Sequence, residues 1–258
     1  MKADEIFRHD GPVALVTGAS SGLGVRFAEV AAANGASVVL VARRAERLLA
    51  LKEKIEKAGG RAAVAEADVT DRASIARAFD AAEKAFGMVT LLVNNAGVAH
   101  ANRAVDMPEE EWRRVLDTNL DAVFFTAQEA AKRMLAAKKK GTIVNIASIL
   151  GLGVSKGTVA YAVAKAAVIQ LTKSLALELA FRGVRVNAIA PGFVVTEINR
   201  EFLTGEGAGM TRHIPVGRFG EERDLDGAFL LLASDAGRFM TGSVVVVDGG
   251  QVLAIPPG

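Results

Sequence analysis

Apolar positions along this chain fall into short, nearly continuous runs separated by longer stretches with helical spacing. Runs at 13–17, 36–42, 62–67, 90–93, 142–147, 184–189 and 243–247 read as strands. Because they do not alternate with polar residues, they predict strands buried on both faces, as in a parallel sheet. Between them, 23–34, 43–58 and 71–86 carry apolar residues at helical intervals, with Asp71 as an N-cap. Pro108 opens a further helical pattern that runs with interruptions to Lys140. Further helices are predicted around Tyr161 and near 221–232.

This β-α-β-α alternation predicts an α/β fold with helices on both faces of the sheet. An open, doubly wound sheet and a closed eight-stranded barrel share such a pattern. Seven strands, a glycine-rich turn after the first of them, and a Tyr161/Lys165 pair on a helix favour the open sheet. No shift in composition marks a linker, so residues 1–258 are expected to form a single Rossmann-type domain.

Composition narrows the picture by exclusion. Half of the residues (51%) are apolar, enough for a full core. A net charge of +2, from 31 basic and 29 acidic residues, builds no field for nucleic acid. The run Lys138-Lys139-Lys140 reads as the end of a helix, where cations complement the dipole. There is no cysteine, and His9, His100 and His213 lack ligand spacing, so no metal is expected. No apolar run approaches the ~20 residues of a membrane span, and 1–11 is unlike a signal peptide. A soluble, cytoplasmic protein is the expectation.

The first strand ends in Thr17-Gly18-Ala19-Ser20-Ser21-Gly22-Leu23-Gly24. Glycines between a strand and a helix let the backbone approach a pyrophosphate, whose charge suits the free N–H groups of the helix start. The second strand ends in Ala42-Arg43-Arg44, without the carboxylate that would bind a ribose 2′-hydroxyl. A guanidinium suits a 2′-phosphate, so NADP(H) is expected over NAD(H). Asp68 and Val69 end the third strand and are placed to meet an adenine. The small residues Asn95, Ala96 and Gly97 follow the fourth, beside the crevice where ligands bind in such sheets.

Ser148 ends the fifth strand, and Tyr161 and Lys165 lie one turn apart on one face of the next helix. A hydroxyl, a phenol and an ammonium in one small volume make a carbonyl positioner, a proton donor and a modifier of its pKa. A free phenol has a pKa of about 10, and a neighbouring ammonium favours the phenolate, so Lys165 is expected to tune Tyr161 toward the working pH.

Taken together, these motifs resemble the short-chain dehydrogenase/reductase family from Val13 to Gly250. The resemblance rests on 17–24, Asp68, Asn94-Asn95-Ala96-Gly97, Asn119, Ser148, Tyr161-Ala162-Val163-Ala164-Lys165, Pro191-Gly192 with Thr196, and Val247-Asp248-Gly249-Gly250. It implies a catalytic tetrad of Asn119, Ser148, Tyr161 and Lys165, with Asn119 holding a water or backbone group near the lysine. It also implies that Lys165 and Tyr161 contact the nicotinamide ribose and that Pro191, Gly192, Val194 and Thr196 close over the nicotinamide. The family's usual assembly is a tetramer built on the long helices near Asn119 and Tyr161, with a dimer as the smaller alternative.

The activity so implied is hydride transfer between NADP(H) and a ketone or secondary alcohol. A substrate loop is expected at about 193–215, with Phe202, Met210 and Ile214 in its wall beside 150–158. Its apolar content suggests a neutral, partly hydrophobic small-molecule substrate. A 3-oxoacyl-thioester reductase is the alternative, with Arg133 and Arg182 as docking cations for an acidic carrier protein. A sugar-acid dehydrogenase is another, and a non-catalytic dinucleotide sensor is the alternative from a different class.

Overall fold

The computed structural model describes residues 6–7, 11–99, 102–197, 199–205 and 207–253, and the side chain of Phe202 is not among what is described. His9, His100 and the tail from 254 onward therefore lie outside the described residues.

The chain begins with β1 (Val13–Thr17), α1 (Gly22–Ala33), β2 (Ser37–Ala42), α2 (Ala45–Lys57), β3 (Arg61–Glu66), α3 (Arg72–Phe86) and β4 (Val89–Asn94). Next come α4 (Glu109–Leu116), α5 (Ala122–Ala136), β5 (Gly141–Ile146), α6 (Val159–Leu179) and β6 (Val184–Pro191). Two short strands, β7 (Val194–Val195) and β8 (Gly220–Glu221), flank α7 (Arg200–Thr204), and α8 (Asp226–Ala233) leads to β9 (Val244–Val247). Seven strands form one parallel sheet in the order β3-β2-β1-β4-β5-β6-β9. The predicted doubly wound architecture is the one found.

Alternate residues of each central strand feed different cores, because side chains on a strand point to opposite faces. From β1, Ala14 and Val16 join Phe27, Leu48 and Phe229 under α1, α2 and α8. Val13 and Leu15 join Phe79 and Met134 under α3 and α5. Phe27 and Phe229 are fully buried and stack at 4.9 Å, so truncating either to Ala would cost about 3–5 kcal/mol. The strand order reverses between β1 and β4, and the crevice at their C-terminal ends is where ligands bind in open sheets.

Several boundaries differ from the sequence expectation. Arg43 and Arg44 precede α2 instead of forming its first turn. The single pattern from Pro108 to Lys140 resolves into α4, a π turn at Asp117–Asp121 and α5, and Lys138, Lys139 and Lys140 fall beyond the helix in the exposed turn to β5. The last helix begins at Asp226, after a 3-10 turn at Glu222–Leu225. The β7–β8 pair was not legible at all, since two residues carry no periodicity. Asp71 caps α3 as expected, its carboxylate accepting from the Ala73 N–H at 2.9 Å.

Candidate active site

The C-terminal ends of the strands open into one cleft of about 1360 Å³. Gly18, Ser20, Ser21, Gly22 and Leu23 line it after β1, and Arg43 and Arg44 after β2. Asp68 and Val69 follow from β3, and Asn95, Ala96 and Gly97 from β4. Ser148, Tyr161 and Lys165 line the same cleft, as do Pro191, Gly192, Val194 and Thr196. Two of the sequence-derived site residues, Gly24 and Asn119, are not on its wall.

Gly24 has a packing reason to be glycine. A Cβ there would stand 2.3 Å from the Gly18 oxygen and 2.6 Å from Asn95 Nδ2, closer than any side chain can sit. The first turn of α1 is thereby pressed against the strand end. The N-cap Ser21 makes no side-chain cap bond, so the N–H groups of the helix start are left for another acceptor. The Ser20 and Ser21 hydroxyls instead accept from Arg44 Nη2 at 2.9 and 3.0 Å. A glycine turn of positive φ at Gly18 (68°) and Gly22 (55°), an uncapped helix start and two arginines at the next strand fit a phosphorylated dinucleotide.

The crevice between β1 and β4 is stitched by residues whose role is structural. Thr17 Oγ accepts from the N–H groups of Asn95 and Ala96 at 3.0 and 3.1 Å, and Asn95 Nδ2 donates to the Thr17 oxygen at 3.0 Å. The Asn95 side chain is thus spent on the strand beside it. Asp68 Oδ1 accepts from the Thr70 N–H and hydroxyl, and Arg43 lies 3.8 Å from the carboxylate. Burial alone would raise the Asp68 pKa, but the Thr70 bonds and Arg43 outweigh it and hold the carboxyl below its usual range.

Ser148 leaves β5 and caps a 3-10 turn, Ile149–Gly151, its hydroxyl accepting from the Leu150 N–H at 3.1 Å. Gly151 lets that turn press on α6, because a Cβ there would lie 2.7 Å from the Lys165 carbonyl carbon and oxygen. Tyr161 and Lys165 reach back from α6 to the same point. Lys165 is buried, donates to the Ile146 carbonyl at 2.7 Å, and has Nζ 5.6 Å from the Tyr161 ring centroid. Burial pulls its pKa down from 10.5 to about 8, so the ammonium persists at neutral pH.

For Tyr161 the direction is opposite to the sequence expectation. Loss of solvent raises the phenol, and its hydrogen bond with Ser148 only partly opposes that. The ammonium that was to lower it is committed to the Ile146 carbonyl, whose place no spacing rule encodes.

Asn119 sits fully buried in the middle of the π turn. Its Oδ1 accepts from the Val98 N–H at 2.8 Å and its Nδ2 donates to the Val98 carbonyl at 2.7 Å. The side chain therefore clamps a backbone group, that of the loop after β4. Of the expected substrate walls, Leu150, Thr158, Phe193, Val194, Thr196 and Asn199 line the cleft, whereas Met210 and Ile214 do not. Ile214 is buried instead, against Gly249.

The expected docking cations separate. Arg133 is tied to Glu129, Asp80 and Glu83 at 2.6, 2.8 and 3.2 Å and lies over the Phe79 ring. Those carboxylates outweigh its burial and raise its pKa, so it offers no free cation. Arg182 is exposed between α6 and β6, before the N-terminal end of β6 and so at the opposite end of the strands from the cleft.

Comparison with known proteins gives this geometry a family. A family model described as Enoyl-(Acyl carrier protein) reductase matches residues 18–251. The 3-oxoacyl-(acyl-carrier-protein) reductase FabG of Escherichia coli (strain K12) is 38% identical over 244 residues, which are 95% of this chain and 98% of the relative. A short-chain type dehydrogenase/reductase from Mycobacterium marinum superposes with a TM-score of 0.92 at 38% identity, covering 96% of this chain and 98% of that one. The chain belongs to the short-chain dehydrogenase/reductase family. It is an oxidoreductase acting on carbonyl or hydroxyl groups. The gluconate 5-dehydrogenase from Burkholderia cenocepacia J2315 in complex with NADP and tartrate superposes with a TM-score of 0.93 at 35% identity, covering 98% of this chain and all of that one. No helix among the described residues is long and apolar enough to cross a membrane.

Proposed function

We propose that this short-chain dehydrogenase/reductase interconverts a neutral ketone and its secondary alcohol with NADP(H). The observation that carries the reading is the convergence of Ser148, Tyr161 and Lys165 on one cleft that also holds the glycine turn and the two arginines. The turn 18–23 would hold the pyrophosphate, Asp68 and Val69 the adenine end, and Pro191 to Thr196 the nicotinamide end. Bound there, the nicotinamide supplies or accepts the hydride.

The chain's own residues handle the oxygen and its proton. The Ser148 hydroxyl, hydrogen-bonded with Tyr161, donates to the substrate oxygen when a substrate enters and stabilises charge developing on it. Tyr161 gives its phenolic proton to that oxygen in reduction and removes it in oxidation. The raised pKa keeps the phenol protonated at neutral pH, the form that reduction needs. Lys165 provides positive charge beside the phenolate that forms, while its bond to Ile146 fixes its position. Asn119 acts at one remove, by positioning the Val98 loop on the cleft's edge.

Preference for NADP(H) over NAD(H) is supported by Arg43, whose side chain is 75% exposed at the end of β2, and by the absence of a carboxylate there. Val98, Ile149, Leu150 and Phe193 are apolar members of the cleft's lining, which supports a substrate with some hydrophobic surface. A 3-oxoacyl-thioester substrate is the second reading, favoured by the 38% identity to the Escherichia coli reductase. We take the chain as one domain with its substrate loop at about 193–215, assembled as a homotetramer.

The test is consumption of NADPH and NADH by the purified protein over a ketone panel that includes an acetoacetyl thioester, with Tyr161→Phe as control. Turnover that prefers NADPH and disappears in the variant is expected. Turnover that survives in Tyr161→Phe would sink the assignment of the proton donor.

A further inference from the structure

After β6, side-chain hydrogen bonds tie Val194, Thr196 and Asn199 into one turn. Asn199 Oδ1 accepts from the Thr196 N–H at 2.7 Å and from its hydroxyl at 3.2 Å, and Asn199 Nδ2 donates to the Val194 carbonyl at 2.9 Å. Val194, Thr196 and Asn199 all line the cleft. Thr196 leans on the glycine turn, its Cβ 3.4 Å from where a Gly22 side chain would begin. This turn is therefore one wall of the cleft, and it arrives over the start of α1.

The opposite wall is the end of β2. Arg43 and Arg44 line the cleft there, and Arg47 follows one turn later on the same flank of α2. Arg47 Nη1 meets Glu197 Oε2 at 3.0 Å, although 150 residues separate them. An ion pair thus joins the two walls. Both side chains are exposed, at 41% and 62%, so the pair is weak and opens readily.

We infer that Arg47 and Glu197 form a clasp across the mouth of the cleft and that Glu197 is a positioning residue that sets how fast the dinucleotide leaves. The inference rests on the dinucleotide reading above. Because Asn199 ties Val194 and Thr196 together, holding Glu197 holds its neighbour Thr196 and, through it, Val194. Opening the pair frees the whole turn. Cofactor release limits turnover in many enzymes with such closing segments, so a weak clasp can govern the rate without touching a reacting atom.

The experiment is stopped-flow displacement of NADPH, and separately of NADH, from the full chain. Glu197→Gln and Arg47→Gln are each expected to speed release of both cofactors about two- to five-fold, the size an exposed ion pair supplies. The double variant is expected to do no more than either single one. Exchanging the charges, Arg47→Glu with Glu197→Arg, is expected to restore slow release, a rescue that a merely structural role would not give. The KM for cofactor should rise with the release rate, while the rate of a single turnover from bound cofactor stays unchanged.

Unchanged release in both single variants, or fully additive effects in the double, overturns the clasp. So does a result in which Arg47→Gln weakens NADPH alone while Glu197→Gln tightens it, because Arg47 would then serve the phosphate directly. If the native protein binds neither cofactor, the dinucleotide reading falls and the clasp with it. If it binds and turns over with unaltered release in the variants, the clasp alone falls.

Discussion

Lys165 Nζ lies 2.7 Å from the main-chain oxygen of Ile146, the last residue of the strand that presents Ser148. A helix ammonium is thereby anchored on the strand end that carries the neighbouring hydroxyl. The bond fixes Nζ near the Tyr161 ring and accounts for how a lysine survives at 4% exposure. It also leaves a charge in a dry place, with consequences that depend on pH.

Because burial lowers Lys165 from 10.5 to about 8, the folded chain holds that proton less tightly than the unfolded chain does. Between those values the unfolded state binds more protons, so stability rises with pH through that window. We expect Lys165→Met to remove a penalty of ~3 kcal/mol that the native chain carries below pH 8. Urea melts from pH 7 to 10.5 should show the native protein gaining on the variant as pH rises. A constant difference would mean that the lysine is not desolvated. Turnover should be lost in the variant at every pH.

Asn119 satisfies both main-chain groups of Val98 from a fully buried position. Asn119→Ala strands them, at about 1–3 kcal/mol for each group left without a partner. The expected result is a loss of about 2–6 kcal/mol in chemical denaturation, together with weaker substrate binding as the 97–99 loop loosens. Asn119→Asp keeps the acceptor for the Val98 N–H but sets a carboxylate oxygen against the carbonyl, so it should rescue only in part.

Gly24→Ala reverses an ordinary rule. Alanine in a helix is better than glycine by about 1 kcal/mol. Here its Cβ would meet the Gly18 oxygen at 2.3 Å, so the glycine turn must move. We expect a lower melting temperature and markedly weaker NADPH binding by fluorescence titration. A variant more stable than the native chain would show that the turn has room to give.

The two arginines at the end of β2 should behave differently. Arg43 lies 3.8 Å from Asp68, whereas Arg44 holds the hydroxyls of Ser20 and Ser21. Arg43→Ala is therefore expected to raise the KM for NADPH tenfold or more, from the loss of a charge-assisted phosphate contact worth about 1.5–3 kcal/mol. It should leave NADH unaffected. Arg44→Ala should weaken both cofactors, because it also releases the glycine turn. Equal losses of both cofactors in both variants would remove the basis for preferring NADP(H).

Much of the fold was legible because the signals are local. Continuous apolar runs marked six of the seven sheet strands to within one residue at each end, and the strand after α6 runs two residues beyond its expected end. The i, i+4 spacing put Tyr161 and Lys165 on one face of α6, and both line the cleft. The glycine turn, the acidic cap at Asp71 and the β-α alternation are likewise properties of neighbours in the chain. Burying apolar residues at the right period needs no knowledge of distant partners.

What the fold alone decided are the pairings that spacing does not encode. The Ile146 carbonyl takes the lysine, Val98 takes Asn119, and three carboxylates take Arg133, which sequence had offered as a free docking cation. The rise of the Tyr161 pKa belongs here too. Its sign depends on how much water packing removes and on where the nearest charge is held, and both are set by elements far apart in the chain. Periodicity determined which faces are buried, and only the packed structure determined which polar groups those faces bring together.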